Sequence, residues 1–130
     1  MESIKFRPFK RTIYKIQIRQ QTIDDLDKAT MVTFRFIDFG VDLGTRQMGQ
    51  VAHAKLLPLV QGEEKVVLDF SGVDVVTNSF ADECIAKLLL QMPLEELKKR
   101  TTFKGLNPMA SKSILGALQR RQSVINQVAH

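Results

Sequence analysis

The chain has 130 residues, 44% hydrophobic and 25% charged, which predicts one folded domain with its own core and excludes a disordered or fibrous chain. No apolar run reaches the ~18 residues of a membrane span, the opening MESIKFRPFKR lacks the apolar stretch of a signal peptide, and the single cysteine, Cys84, excludes a disulfide framework or cysteine-rich zinc cage. The formal charge of +5 is local: Lys5, Arg7, Lys10, Arg11, Lys15 and Arg19 stand against Glu2, and residues 21–130 hold 13 charges of each sign. The expectation is a soluble, cytoplasmic protein.

In chain order, residues 12–19 place Tyr14, Ile16 and Ile18 opposite Lys15, Gln17 and Arg19, the period of a half-buried strand. Residues 21–30, with Asp24, Asp25 and Asp27, read as a short helix or a loop. Residues 1–30 thus form a basic N-terminal arm with a strand, ahead of a domain over 31–130. Val32, Phe34 and Phe36 alternate with Thr33 and Arg35 in a second strand that ends near Gly40. Thr45 caps a helix carried by Met48, Val51, Ala52, Leu56 and Leu59 and ended by Pro58 and Gly62.

Lys65–Phe70 is a short apolar run that predicts a central strand buried on both faces. Ser79, with Asp82 three residues on, predicts a capping box. It opens a helix whose stripe is Phe80, Ala81, Cys84, Ile85, Leu88 and Leu89, broken at Pro93. Leu94–Arg100 reads as a charged turn of helix and Thr101–Leu106 as a strand. Asn107-Pro108 supplies the cap and first position of a last helix bearing Ile114, Leu115, Leu118, Ile125 and Val128 near one face. The alternation predicts an α/β fold: a small mixed or mostly parallel sheet of about four to five strands with helices packed on it.

Enzyme signatures are sparse. Gly40, Gly44 and Thr45 lack the spacing and the lysine of a phosphate loop. His53 and His130 are far apart, with His53 expected on a helix surface, and no cluster offers three or four metal ligands. Cys84 lies inside the apolar stripe, where a thiol is structural. Asp82 and Glu83 are adjacent and so diverge on a helix. An enzymatic reading requires Ser79, Asp82 and Arg46 to converge on one pocket, and no general base stands near Ser79. No catalytic residue, metal or cofactor is assigned.

The segment from Leu68 to Glu83 leaves the C-terminal end of a buried strand and enters a helix through Thr77, Asn78 and Ser79. That end of an open α/β sheet is where ligands bind, and a helix start favours a phosphate. Alternatively, the three polar residues only cap the helix. Asp69, at the strand end, is suited to fixing the following turn through backbone amides.

Three motifs carry a resemblance: LGTR over 43–46, DFSGV over 69–73 and NSFADE over 78–83. Together they resemble the STAS-like domain family of unassigned function, related to the bacterial anti-sigma factor antagonists. The resemblance runs from Val32 to the last helix and implies a small sheet with stacked helices that acts by protein binding rather than catalysis. In the antagonists a serine at the start of the second helix is phosphorylated by a histidine-kinase-like ATPase that is also the anti-sigma factor, and modification switches capture off. Aligning Ser71-Gly72-Val73 with their SGV puts Asn78, which accepts no phosphate, at the phosphorylated position. Ser79 and Thr77 remain as candidates.

The resemblance implies a partner surface of Asp69, Ser71, Asn78, Ser79, Asp82, Glu83 and Arg46, presented by the loop Ser71–Ser79 and the helix Phe80–Leu90. Arg46, from LGTR, has two readings: an anchor for an acidic group or phosphate of the partner, or a salt bridge to Asp82 or Glu83 joining two helix starts. The partner implied is a histidine-kinase-like ATPase or anti-sigma factor, with a homodimer as a further option and no membrane. A second class of function is nucleic-acid association through the basic arm. The absence of Trp, the single Tyr and the neutral body count against it.

Overall fold

The structure is a computed structural model that describes residues 31–128. The predicted strand over 12–19, the segment 21–30 and the basic arm lie outside the described residues, and with them the nucleic-acid reading. Strand β1 (Met31–Arg35) runs into one 3-10 turn, Phe36–Phe39, closed by Gly40 at a φ of +129° that side chains rarely adopt. The strand therefore ends before Phe36. Then follow β2 (Asp42–Leu43), α1 (Arg46–Val60), β3 (Lys65–Asp69), β4 (Val75–Val76), α2 (Asn78–Cys84), a 3-10 segment Ala86–Leu90, α3 (Leu94–Arg100), β5 (Thr101–Lys104) and α4 (Pro108–Val128). No helix among the described residues is long and apolar enough to cross a membrane.

The fold is α/β, with every described strand pairing parallel rather than mixed. One sheet has the order β1-β3-β5, and β2 pairs β4 in a separate ladder of two residues. Arg35, Asp69 and Lys104 stand in register across the C-terminal ends of the three strands, cation beside anion beside cation. The β2–β4 ladder escaped the sequence because two residues show no period. Strand β3 is central, yet only Val66 and Leu68 are buried while Val67 and Asp69 are half-covered, so it hides one face and not two.

Phe36, freed from the strand by the 3-10 turn, stacks on Phe70 with centroids 4.0 Å apart and meets Phe34 and Phe80 edge-on. Leu43, Leu56, Leu68, Ile85, Leu88 and Ile114 complete a core between sheet and helices. Helix α1 passes through Pro58 and stops at Val60. Arg100 then donates to the carbonyls of Val60 and Gly62, at 3.1 and 2.7 Å, satisfying acceptors that a helix end leaves open. As predicted, Thr45 caps α1 by accepting from Met48, and Asn107 caps α4 by accepting from Ala110.

The second helix corrects the sequence reading. Its cap is Thr77, whose hydroxyl accepts from the Phe80 amide at 3.1 Å, so the helix begins at Asn78 and there is no Ser79–Asp82 capping box. It ends at Cys84 and continues in 3-10 form, and Phe80, Ala81, Glu83–Ala86, Leu88 and Leu89 are all buried. A face this wide belongs to an element packed deep against the core.

Candidate functional site

The loop after β3 is built stiff. Asp69 accepts from the Ser71 amide at 2.9 Å, and the Val73 amide closes the turn onto Phe70 at 2.9 Å. Gly72, at a φ of +85°, supplies the left-handed residue that this turn needs. Hydrogen bonds from the Ser71 hydroxyl and amide hold the Asp69 carboxyl below the usual range, helped by Lys104 and Arg35. Further along, the Asn107 amide donates to the carbonyls of Asp74 (3.0 Å) and Val73 (3.4 Å), tying the loop to the start of α4. The Asp74 and Val75 amides reach the carbonyl of Val41. Ser71, Gly72, Asp74, Val75 and Asn78 face solvent on this frame, beside an exposed Val41 and Asp42.

Thr77 is committed. Besides capping α2, its hydroxyl lies 3.2 Å from the Gly44 carbonyl and 3.4 Å from that of Leu43. It thereby joins the two helix starts, and a modified oxygen would lose the cap and the join together. Ser79 is half-buried and Asn78 exposed; both line an open cleft of about 440 Å³ between α1, α2 and α4.

Arginines dominate that cleft. Arg46, from the first turn of α1, donates through Nη1 to Asp82 Oδ2 at 3.1 Å and to Glu83 Oε1 at 2.8 Å, which settles its salt-bridge reading as the arrangement present. Its side chain is still 48% exposed. From α4, Arg121 Nη2 donates to both oxygens of Asp82 at 2.9 Å. Arg120 and Val124 complete the wall. Asp82 therefore bridges α1 and α4, and this role replaces the one predicted at the cap.

Glu83 behaves differently from its neighbour. Its side chain is only 7% exposed, with Lys87 on one oxygen and Arg46 on the other. Lys87 first and Arg46 second hold its carboxyl below the ordinary range against the opposing effect of burial. Glu83 is closed over by α1, where Gly49 lies so near that an added Cβ would sit 2.8 Å from Glu83 Cβ. Glu83, which the motif resemblance implies as part of a partner surface, is thus buried.

Ser79, Asp82 and Arg46, the set an enzyme would require, do line one cleft, but arginine occupies both oxygens of Asp82. Cys84 is buried and its thiol is pushed far up by that burial, consistent with a structural role. His53 is half-buried rather than on the surface. Its Nδ1 lies 3.0 Å from the Cys84 carbonyl, where it donates to an acceptor at the end of α2. No group of three metal-ligating side chains occurs among the described residues.

Sequence reasoning missed Arg120 and Arg121. A signal was present: Arg121 lies seven residues after Ile114, on the core-facing stripe of α4, where a cation implies a carboxylate partner.

A family model described as a STAS-like domain of unknown function (DUF4325) matches residues 49–110. The match includes DFSGV and NSFADE but begins after LGTR, and it leaves most of α4, with Arg120 and Arg121, outside. No curated protein and no solved structure matches the chain.

Proposed function

Since the chain carries a STAS-like domain of this family over residues 49–110, we propose that it is a non-enzymatic regulatory module that captures a protein partner on the loop Ser71–Ser79. The observation that carries this reading is the loop itself: exposed side chains on a backbone clamped by Asp69, Asn107 and Val41. A preformed surface loses little entropy on binding, as suits a docking element. The small apolar spots Val41 and Val75, 53% and 42% exposed, sit beside Asp42 and Asp74 and give a partner both contact and charge. Because the following helix is buried, the surface comprises the loop and the mouth of the cleft and excludes the body of the helix.

The partner on this reading is a histidine-kinase-like ATPase, as for the anti-sigma factor antagonists that the motifs resemble, and the phosphoacceptor is Ser79. Thr77 is spent on the cap, and Asn78 has no hydroxyl. A phosphate at Ser79 brings about −1.5 to −2 charges to the rim of the surface and releases the partner.

Affinity capture with the wild type and with Asp74→Lys/Val75→Asp, proteins identified by mass spectrometry, tests the first part. The wild type recovers an ATPase of this class and the variant, melting at the same temperature, does not; recovery by both or neither overturns the reading. Intact mass after incubation with that ATPase and ATP tests the second. One phosphate is gained by the wild type and none by Ser79→Ala.

A further inference from the structure

We infer that the cleft between α1, α2 and α4 is a receptor for a phosphomonoester, held by Arg46, Arg120 and Arg121. Three guanidiniums line it against the single carboxylate of Asp82; buried Glu83 also takes a hydrogen bond from Arg46, but Lys87 balances its charge. The walls thus carry a surplus of two positive charges, which matches the roughly −1.5 to −2 of a phosphate monoester.

The donors are available as well as the charge. Arg46 uses only Nη1 on its two carboxylates, and Arg121 uses only Nη2 on Asp82. Each guanidinium presents five N–H donors, so each keeps the larger part of its fork for a ligand. Arg120 is exposed and has no ion pair with any described residue. Asp82 consequently acts as a positioning residue. It fixes two arginines from different helices through one nitrogen each, and their remaining nitrogens make no hydrogen bond to any described residue. Arg121 is only 23% exposed, so its attraction for an anion is screened less than that of a free surface arginine. Asn78, which also lines the cleft, adds a neutral donor.

A monoester, with three terminal oxygens, suits forks arriving from separate directions better than a planar carboxylate does. Its source is Ser79 of this chain or a phosphorylated side chain of a partner. Only the first source rests on the function proposed above.

Two measurements on the full chain separate these. Calorimetric titration with inorganic phosphate at fixed ionic strength gives saturable binding. Arg120→Ala weakens it roughly tenfold, whereas Lys99→Ala, which deletes one exposed cation elsewhere, leaves it unchanged. No saturation, or equal losses in the two variants at unchanged melting temperature, overturns the inference. In the second measurement phosphoserine is installed at position 79 and its phosphate is titrated by phosphorus NMR. A phosphate read within the chain loses its second proton below the usual value of about 6, and Arg120→Ala restores that value. Phosphate binding in the first measurement without a shift in the second assigns the cleft to a partner's phosphate. That outcome sustains the receptor and counts against Ser79 as its source.

Discussion

Among the described residues helix α2 packs against two other α-helices, α1 and α4, and it meets them in opposite ways. Toward α1 the contact is a closed seam: Gly49 has no side chain, so Phe80 and Glu83 press against the α1 backbone, and the buried Glu83 carboxylate is paired with two partly exposed cations. Toward α4 the contact is a bridge over an open cleft, where Arg121 reaches Asp82 across space lined by Arg120 and Arg46. Adjacent carboxylates on one short helix thus have opposite fates. Burial makes Glu83 part of the frame, and partial exposure leaves Asp82 holding arginines that can still bind. The general lesson is that an ion pair at a helix contact is structural or functional according to how much of the cation remains unspent.

The most disruptive way to break this contrast is to strip the seam of its cations. Arg46→Met with Lys87→Met leaves the Glu83 carboxylate buried and unpaired, a change that costs about 3–5 kcal/mol in comparable sites. Adding Glu83→Met removes the orphaned charge at similar volume and recovers most of the loss. Urea unfolding of the double and triple variants checks this. A double variant within about 1 kcal/mol of the wild type would mean that Glu83 is better hydrated than its burial implies.

The next effect is steric. In Gly49→Ala the new methyl falls 2.8 Å from Glu83 Cβ and 3.1 Å from the Phe80 carbonyl oxygen. Backbone has little freedom to yield, so overpacking of about 1–3 kcal/mol outweighs the gain of up to about 1 kcal/mol from helix propensity. Thermal melts should show a net loss.

Acid probes the seam more gently. The Glu83 carboxyl titrates below its unfolded value near 4.5 in the folded chain. Its stabilisation is therefore complete above about pH 5 and disappears as pH falls through the lower, folded value. The difference in stability between wild type and Glu83→Gln should be flat at neutral pH and change only below about pH 5. A difference that already varies between about pH 6 and 8 would point to another titrating group.

Much of this frame was legible in the sequence. Thr45 and Asn107 announced their helices because a cap is a local event, decided by one side chain and the amide three residues on. The α/β order was legible because β3 and the long helices show their periods. What remained hidden was whatever depends on a partner distant in sequence. Thr77 outcompeted Ser79 as cap because its oxygen also meets the Gly44 carbonyl, 33 residues away. Asp82 was given to a cap because Arg121 lies 39 residues further on. The wide burial from Phe80 to Leu89 follows from the packing of α1 and α4 on both flanks of α2, which no single stripe discloses. The cleft is half-visible in the sequence: Ser79, Asn78, Asp82 and Arg46 lie within the quoted motifs, whereas Arg120 and Arg121 do not.

The smallest expected effect sharpens the comparison most directly, because it repeats the Gly49 substitution on the open side. Gly116 lies inside α4, and an added Cβ there would meet only the Arg120 guanidinium, at 3.1 Å. That group is the far end of a flexible, exposed side chain and can swing away at little cost. Gly116→Ala should therefore keep the helix-propensity gain of up to about 1 kcal/mol and raise the melting temperature by a few degrees. The same glycine-to-alanine exchange is thus expected to destabilise the seam and stabilise the cleft side. Should Gly116→Ala lower the melting temperature as Gly49→Ala does, Arg120 would be packed as part of the frame. The cleft would then lose the one arginine that has no carboxylate partner among the described residues.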